Sequence, residues 1–407
     1  MTRRRTAVAI VFLLVGSAVL VGGLYVGLCH YVPWAPGCGS AISVPALEAG
    51  DRLKEAAALA ESGDMAGARR ALTQARDLYK QLGDAEGEAR ARAGLGRILL
   101  RSGAARDGAD ELREARRLYR LDGAGLAEAS VVSDLGDADR LLGRYGEAAR
   151  FYAEAAALFE RHGAPGPAAT ALRSVADMAR LTGEYQQAAR LYGEARMRFQ
   201  GVRDPEGEAD CLMGLGEISL MAGSEPDARA FFGDARAYYE SAGSLVGSAR
   251  ALRGQGELEA QVGDTGAAGE AFDQALSLAR RADAEDVEAE ILLSIAKLET
   301  QLGRHDEGRE AYRRAQATFA STGRIHDEAN ALRGLAELER LASRPGEAVK
   351  AYDEAGRLFE EVGDSIGAAA VFRGMGDIDL NRHDFTAAMD SYREALRLYQ
   401  SVGQKSG

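Results

Sequence analysis

Apolar positions recur along most of the chain in stripes of helical period. Within residues 86–123, Ala91, Leu95, Ile98 and Leu99 follow one another at steps of one, three and four, and Gly103 ends the stripe. Gly108, Leu112, Ala115 and Tyr119 then form a second stripe, ended by Gly123. Such spacing predicts two amphipathic helices joined by a tight turn. The pattern repeats every 40 residues. Gly63, Gly103, Gly143, Gly183, Gly223, Gly263 and Gly303 form one comb, and Gly83, Gly123, Gly163, Gly243, Gly323, Gly363 and Gly403 a second, offset by 20. Ala75, Ala115, Ala155, Ala195, Ala235, Ala275, Ala315, Ala355 and Ala395 fill one column without exception. Self-similarity at a fixed period means a stacked array, in which each unit buries its apolar face only against its neighbours. The expected fold is all-α: nine helical hairpins between residues 46 and 403.

The helix breakers agree with this frame. Pro165, Pro167, Pro205, Pro226 and Pro345 all fall just after an expected helix stop, where the first turn tolerates proline. Asp64, Asp84, Asp204, Ser224, Ser244, Asp264 and Asp364 follow the stops as candidate N-caps.

The N-terminal segment reads differently. No charged residue occurs from Thr6 to Leu47, and 6–28 is apolar enough to span a ~30 Å hydrocarbon core as a helix. Its length favours a transmembrane signal anchor over a cleaved signal peptide. Arg3, Arg4 and Arg5 flank it, so the positive-inside rule gives a cytoplasmic tail at 1–5 and an array outside the cytoplasm. Residues 29–45, with Pro33, Pro36, Gly37, Gly39 and Pro45, are expected to be a spacer, and 46–407 the array. The expected localisation is a single-pass membrane protein, bacterial in type. Gly23 and Gly27 form a GxxxG pair that would suit a helix dimer.

Composition narrows the partners. All 62 acidic residues lie beyond residue 47, whereas three of the 50 basic ones precede it, so the array is more acidic than the whole chain's formal −12. That sign disfavours nucleic acid. Cys29 and Cys38 flank the spacer and are equally consistent with a disulfide or two thiols, while Cys211 sits in a column of small core residues. His30, His162, His305, His326 and His383 have no metal-ligand spacing, and no nucleophile or phosphate-binding motif occurs. Neither enzyme activity, metal nor cofactor is expected.

Leu95-Gly96, Leu135-Gly136, Leu215-Gly216 and Met375-Gly376 in the first helices, with Ala148, Ala188, Ala228, Ala268, Ala348 and Ala388 early in the second, form a signature. Tyr152, Tyr192, Phe232, Phe272, Tyr312, Tyr352 and Tyr392 follow, three residues before the alanine column. The chain thus resembles the tetratricopeptide repeat. Its period is 40 rather than 34, as in a long-helix variant whose extra turns end in Tyr79, Tyr119, Phe159, Phe199, Tyr239, Phe319, Phe359 and Tyr399. The resemblance implies a right-handed superhelix with first helices on the concave face. It implies a protein or peptide partner.

On those first helices stand Asp137, Asp177, Glu217, Glu257, Glu337 and Asp377 in one column, interrupted by Arg97 and Lys297. Four residues earlier stand Arg173, Arg253, Arg333 and Arg373. Two readings fit. In one, Arg173, Asp177, Glu217, Arg253, Glu257, Arg333, Glu337, Arg373 and Asp377 line a partner-binding groove. In the other, they are i, i+4 salt bridges that keep an exposed face soluble. The carboxylate-clamp class of the family uses Lys and Asn in this wall, and Asn occurs here only at 330 and 381. The expected function is a membrane-anchored interaction scaffold. Homo-oligomeric assembly and peptide sensing are the alternatives.

Overall fold

The computed structural model describes residues 44–401. The expected tail, anchor and spacer, with Cys29 and Cys38, lie outside the described residues. So does Gly403. Eighteen helices follow one another: α1 (Val44–Glu61), α2 (Met65–Leu82), α3 (Ala85–Arg101), α4 (Ala105–Asp122), α5 (Gly125–Leu141), α6 (Tyr145–Arg161), α7 (Pro165–Leu181), α8 (Tyr185–Val202), α9 (Pro205–Met221), α10 (Glu225–Ala242), α11 (Leu245–Val262), α12 (Thr265–Arg281), α13 (Glu285–Gln301), α14 (His305–Ser321), α15 (Ile325–Leu341), α16 (Pro345–Val362), α17 (Ser365–Asn381) and α18 (Phe385–Ser401). Odd-numbered helices are the first of each hairpin and even-numbered ones the second. The described residues fall into two compact units, divided between residues 91 and 92.

Turn chemistry sets the helix ends. Gly103 closes α3 at φ +79°, in the left-handed region that costs glycine nothing. Where the glycine combs break, Arg203, Asp283, Ser343 and His383 adopt the same conformation, at φ of 53–62°. The turn is therefore imposed by the packing of the array even where glycine is missing. Asp64, Asp84, Asp204, Ser244, Asp264 and Asp364 accept hydrogen bonds from backbone N–H groups of the first helical turn, as expected. Ser224 does not; its hydroxyl donates to Asp227.

In the first unit, Ala49, Ala75, Tyr79 and Ala91 form one buried cluster. In the second, the alanine column is fully buried from Ala115 to Ala355 and 4% exposed at Ala395. An added methyl there would have no room, which is why the column admits one residue type. Phe232 of α10 shows how the buried aromatic column is wedged between successive first helices. A Cβ added at Gly216 would lie 2.6 Å from the Phe232 ring, and one at Gly254, a repeat later, 2.8 Å from it. Cys211 is wholly buried, and burial pushes its thiol up to about 12, as suits a core residue.

From α7 to α17 the first helices of successive repeats touch one another, while the second helices stand further apart. The first helices thus form the inner layer of this stretch. Within the second unit, distant repeats also meet edge to edge. A Cβ at Gly103, in the second hairpin's turn, would sit 2.5 Å from Ile325 at the start of the eighth. Gly143 approaches Asp364, and Gly363 approaches Leu142 and Arg106. A cleft of about 670 Å³ runs along this seam, with Arg97, Asp134, Arg140, Arg324, His326 and Asp327 among its lining residues.

The localisation expected from the N-terminal segment is corrected. Among the described residues no helix is long and apolar enough to cross a membrane. The described helices have 17 or 18 residues, with charged side chains on their outer faces.

Candidate functional site

The acidic column of the first helices has a structural task that its sequence position did not reveal. At four of the five repeats whose second helix carries tyrosine at the aromatic position, the phenol donates to the carboxylate 15 residues earlier; the fifth, Tyr312, has Lys297 there instead. Tyr152 donates to Asp137 at 2.7 Å, Tyr192 to Asp177 at 2.5 Å, Tyr352 to Glu337 at 3.0 Å and Tyr392 to Asp377 at 2.6 Å. Burial and the adjacent carboxylates drive the hydroxyls of Tyr152, Tyr192 and Tyr352 far above their ordinary range. A buried phenol needs such an acceptor. Arg140, Arg180 and Arg340, three residues past the acid, accompany three of these pairs. Arg340 pairs with Glu337, whose pKa is held down chiefly by that hydrogen bond.

Where the second helix carries phenylalanine, the acid turns to neighbours on the inner layer. Glu217 meets Arg180 of α7 at 3.1 Å, and burial raises its carboxyl against the pull of Arg180 and Arg253. Glu257 accepts from Arg253 at 3.0 Å and from the Ser294 hydroxyl of α13 at 2.5 Å. Arg173 lies 3.3 Å from Asp177 and 3.7 Å from Asp210 of α9. Side chains therefore bridge successive first helices like rungs, and the wall they form is polar.

Two of the four expected i, i+4 pairs are present, Arg173–Asp177 and Arg253–Glu257. In the other two the acid has another partner. Arg333 makes only a 3.4 Å hydrogen bond to Asn330, and Arg373 has no ion pair among the described residues. A hollow of about 420 Å³ opens in this wall beside Glu257, Gln261, Phe272, Ser294, Lys297 and Gln301. Among the described residues no three His, Cys, Asp or Glu side chains are grouped to hold a metal.

Sequence spacing did not reveal the tyrosine hydroxyls, Ser294, or the seam between distant repeats. The first has a visible signal: tyrosine appears at the aromatic position of each repeat that has an Asp, or Glu337, 15 residues before it. At the seam, His326 lies 3.1 Å from Asp364 and 3.9 Å from Asp327. Burial alone would lower its pKa, but hydrogen bonds and charge from Asp327 and Asp364 outweigh that and raise it to about 9. An unfolded histidine titrates near ~6.5, so this contribution is complete below about 6.5 and lost as pH climbs through about 9. Stability is expected to fall across that window. His326→Gln should remove this part of the slope in pH-dependent urea melts, and identical slopes for both chains would count against the pairing.

Tetratricopeptide-repeat family profiles match residues 327–401 and 293–360. No curated protein matches the chain. Among solved structures, a Rap protein complexed with Competence and Sporulation Factor is similar over 88% of this chain and 99% of its own, with 15% identity and a TM-score of 0.58. The apo form of RapI is similar over 67% of this chain and 97% of its own, at 14% identity and a TM-score of 0.54. The Rap conjugation gene regulator of the plasmid pLS20, in complex with the Phr* peptide, is similar over 81% and 82%, at 12% identity and a TM-score of 0.50. At these identities the likeness is one of fold. The chain carries tetratricopeptide repeats, built into an all-helical solenoid.

Proposed function

We propose that this array is a binding protein that seats an extended peptide segment along the inner layer of its first helices. The observation that carries the reading is the wall itself. Charged and hydroxyl side chains from successive first helices share one surface, which opens into a hollow of about 420 Å³ beside Ser294 and Lys297. An extended chain exposes one N–H and one C=O per residue, and a polar wall with this many donors and acceptors can satisfy them. Solved proteins of similar fold, named as complexes with Competence and Sporulation Factor and with the Phr* peptide, support a peptide occupant. Peptide sensing is thus favoured over a passive scaffold.

The test is to select peptides from a randomised library against the full chain and measure their affinity for a wall-filled variant. Gln261→Trp with Gln301→Trp occupies the hollow from two exposed positions, where substitutions usually change stability by no more than ~0.5 kcal/mol. Selected peptides are expected to bind the folded variant at least about tenfold more weakly. Equal affinity for both chains would move the site off this wall.

A further inference from the structure

The inner layer changes character along the array. In α7–α11, each cation of the Arg column is matched: Arg173 by Asp177 and Asp210, Arg253 by Glu257, with Arg180 on Glu217. From α13 onward the matching fails, for two separate reasons. At position 297 the acidic column itself becomes lysine, and Lys297 is exposed with no ion pair among the described residues. At 333 and 373 the arginine remains, but the acid four residues later is engaged elsewhere. Glu337 serves Arg340 and Tyr352, and Asp377 serves Tyr392. Arg373 is exposed and Arg333 half-buried, neither with a carboxylate in ion-pair range.

Lys297, Arg333 and Arg373 therefore stand on three successive first helices, α13, α15 and α17, which touch one another in turn. We infer that these three residues form a cationic stripe that holds the acidic part of an extended peptide. The inference rests on the peptide-binding reading and adds the occupant's chemistry. Charge complementarity selects the occupant: all 62 acidic residues of the chain but only 47 of its 50 basic ones lie in the array, which therefore repels anions in general, so a local cationic stripe favours an anionic segment that can reach this wall. Packed helices lie ~8–10 Å apart and an extended chain rises ~3.3 Å per residue. One acidic side chain per helix then means Asp or Glu at about every third position of the peptide. The stripe differs from a clamp on a terminal carboxylate, because its three contacts are spread over three repeats.

The test uses a randomised nonapeptide library selected in parallel against the full chain and against Lys297→Glu/Arg333→Glu/Arg373→Glu, with Lys297→Gln/Arg333→Gln/Arg373→Gln as the neutral counterpart. Far-ultraviolet circular dichroism and urea melts establish that both variants fold. Peptides selected on the unmodified chain are expected to be enriched in Asp and Glu at every third position. Their binding should weaken with added salt and fall about tenfold or more in the glutamine variant. Selection on the glutamate variant should instead favour Lys and Arg. Peptides that bind without acidic enrichment, or that bind the charge-reversed chain equally well, would overturn the stripe and leave the peptide-binding reading standing. Failure to select any peptide would overturn the peptide-binding reading itself.

Discussion

Phe232→Ala is expected to destabilise the array by about 3–5 kcal/mol, a very large effect for a single side chain outside the ionic networks. Phe232 is 0% exposed, and its ring fills the gap between Gly216 of its own repeat and Gly254 of the next. Deleting the ring removes the wedge that holds two first helices against α10. Glycine on both sides cannot expand to close the cavity, so relaxation recovers little. The same change at Phe385, which is 62% exposed, should cost far less. Urea midpoints of the two variants give the comparison. Similar shifts for both would show that the wedge is not what couples neighbouring repeats.

The second large effect concerns charge. Arg309 on α14 and Glu339 on α15 are 8% and 4% exposed, and they form a hydrogen-bonded ion pair between neighbouring repeats, with Nη2 of Arg309 3.2 Å from Oε2 of Glu339. Glu339→Ala leaves a guanidinium buried with only Asp306, itself mostly in solvent, as its counter-charge. Removing one partner of a buried pair typically costs about 3–5 kcal/mol, and the surviving Asp306 contact should place this variant at the lower end. Arg309→Met together with Glu339→Leu removes both charges and should recover most of the loss. If the double replacement proves as unstable as Glu339→Ala, the cost lies in packing and not in the stranded charge.

The fold was legible because it is written with one period. Turn, column and cap recur at 40-residue spacing, so each local feature could be checked against eight others. Pro205 and Asp204 mark the start of α9 as clearly as Gly103 marks the end of α3. The wall was only partly legible. Its columns were correctly placed on the first helices, but their partners were not, because Tyr192 reaches Asp177 across a hairpin and Ser294 reaches Glu257 across a repeat boundary. Helical spacing sees neighbours at three and four residues and nothing beyond. Arg309 and Glu339, 30 residues apart, were invisible for the same reason. The membrane localisation erred differently: it rested wholly on a segment outside the described residues and on no property of the repeats.

The edge-to-edge seam changes how the second unit should unfold. An open linear array melts as a chain of nearest-neighbour couplings, fraying from its ends one hairpin at a time. Contacts such as Gly103 with Ile325 and Gly143 with Asp364 tie the second and third hairpins to the eighth and ninth. An end hairpin held this way cannot peel off without also breaking the seam, so the transition becomes sharper than the sum of its interfaces. Such distant contacts also raise the mean sequence separation of interacting residues, which slows folding. Hydrogen exchange should then show the loops at 101–106 and 322–327 opening together rather than in order along the chain.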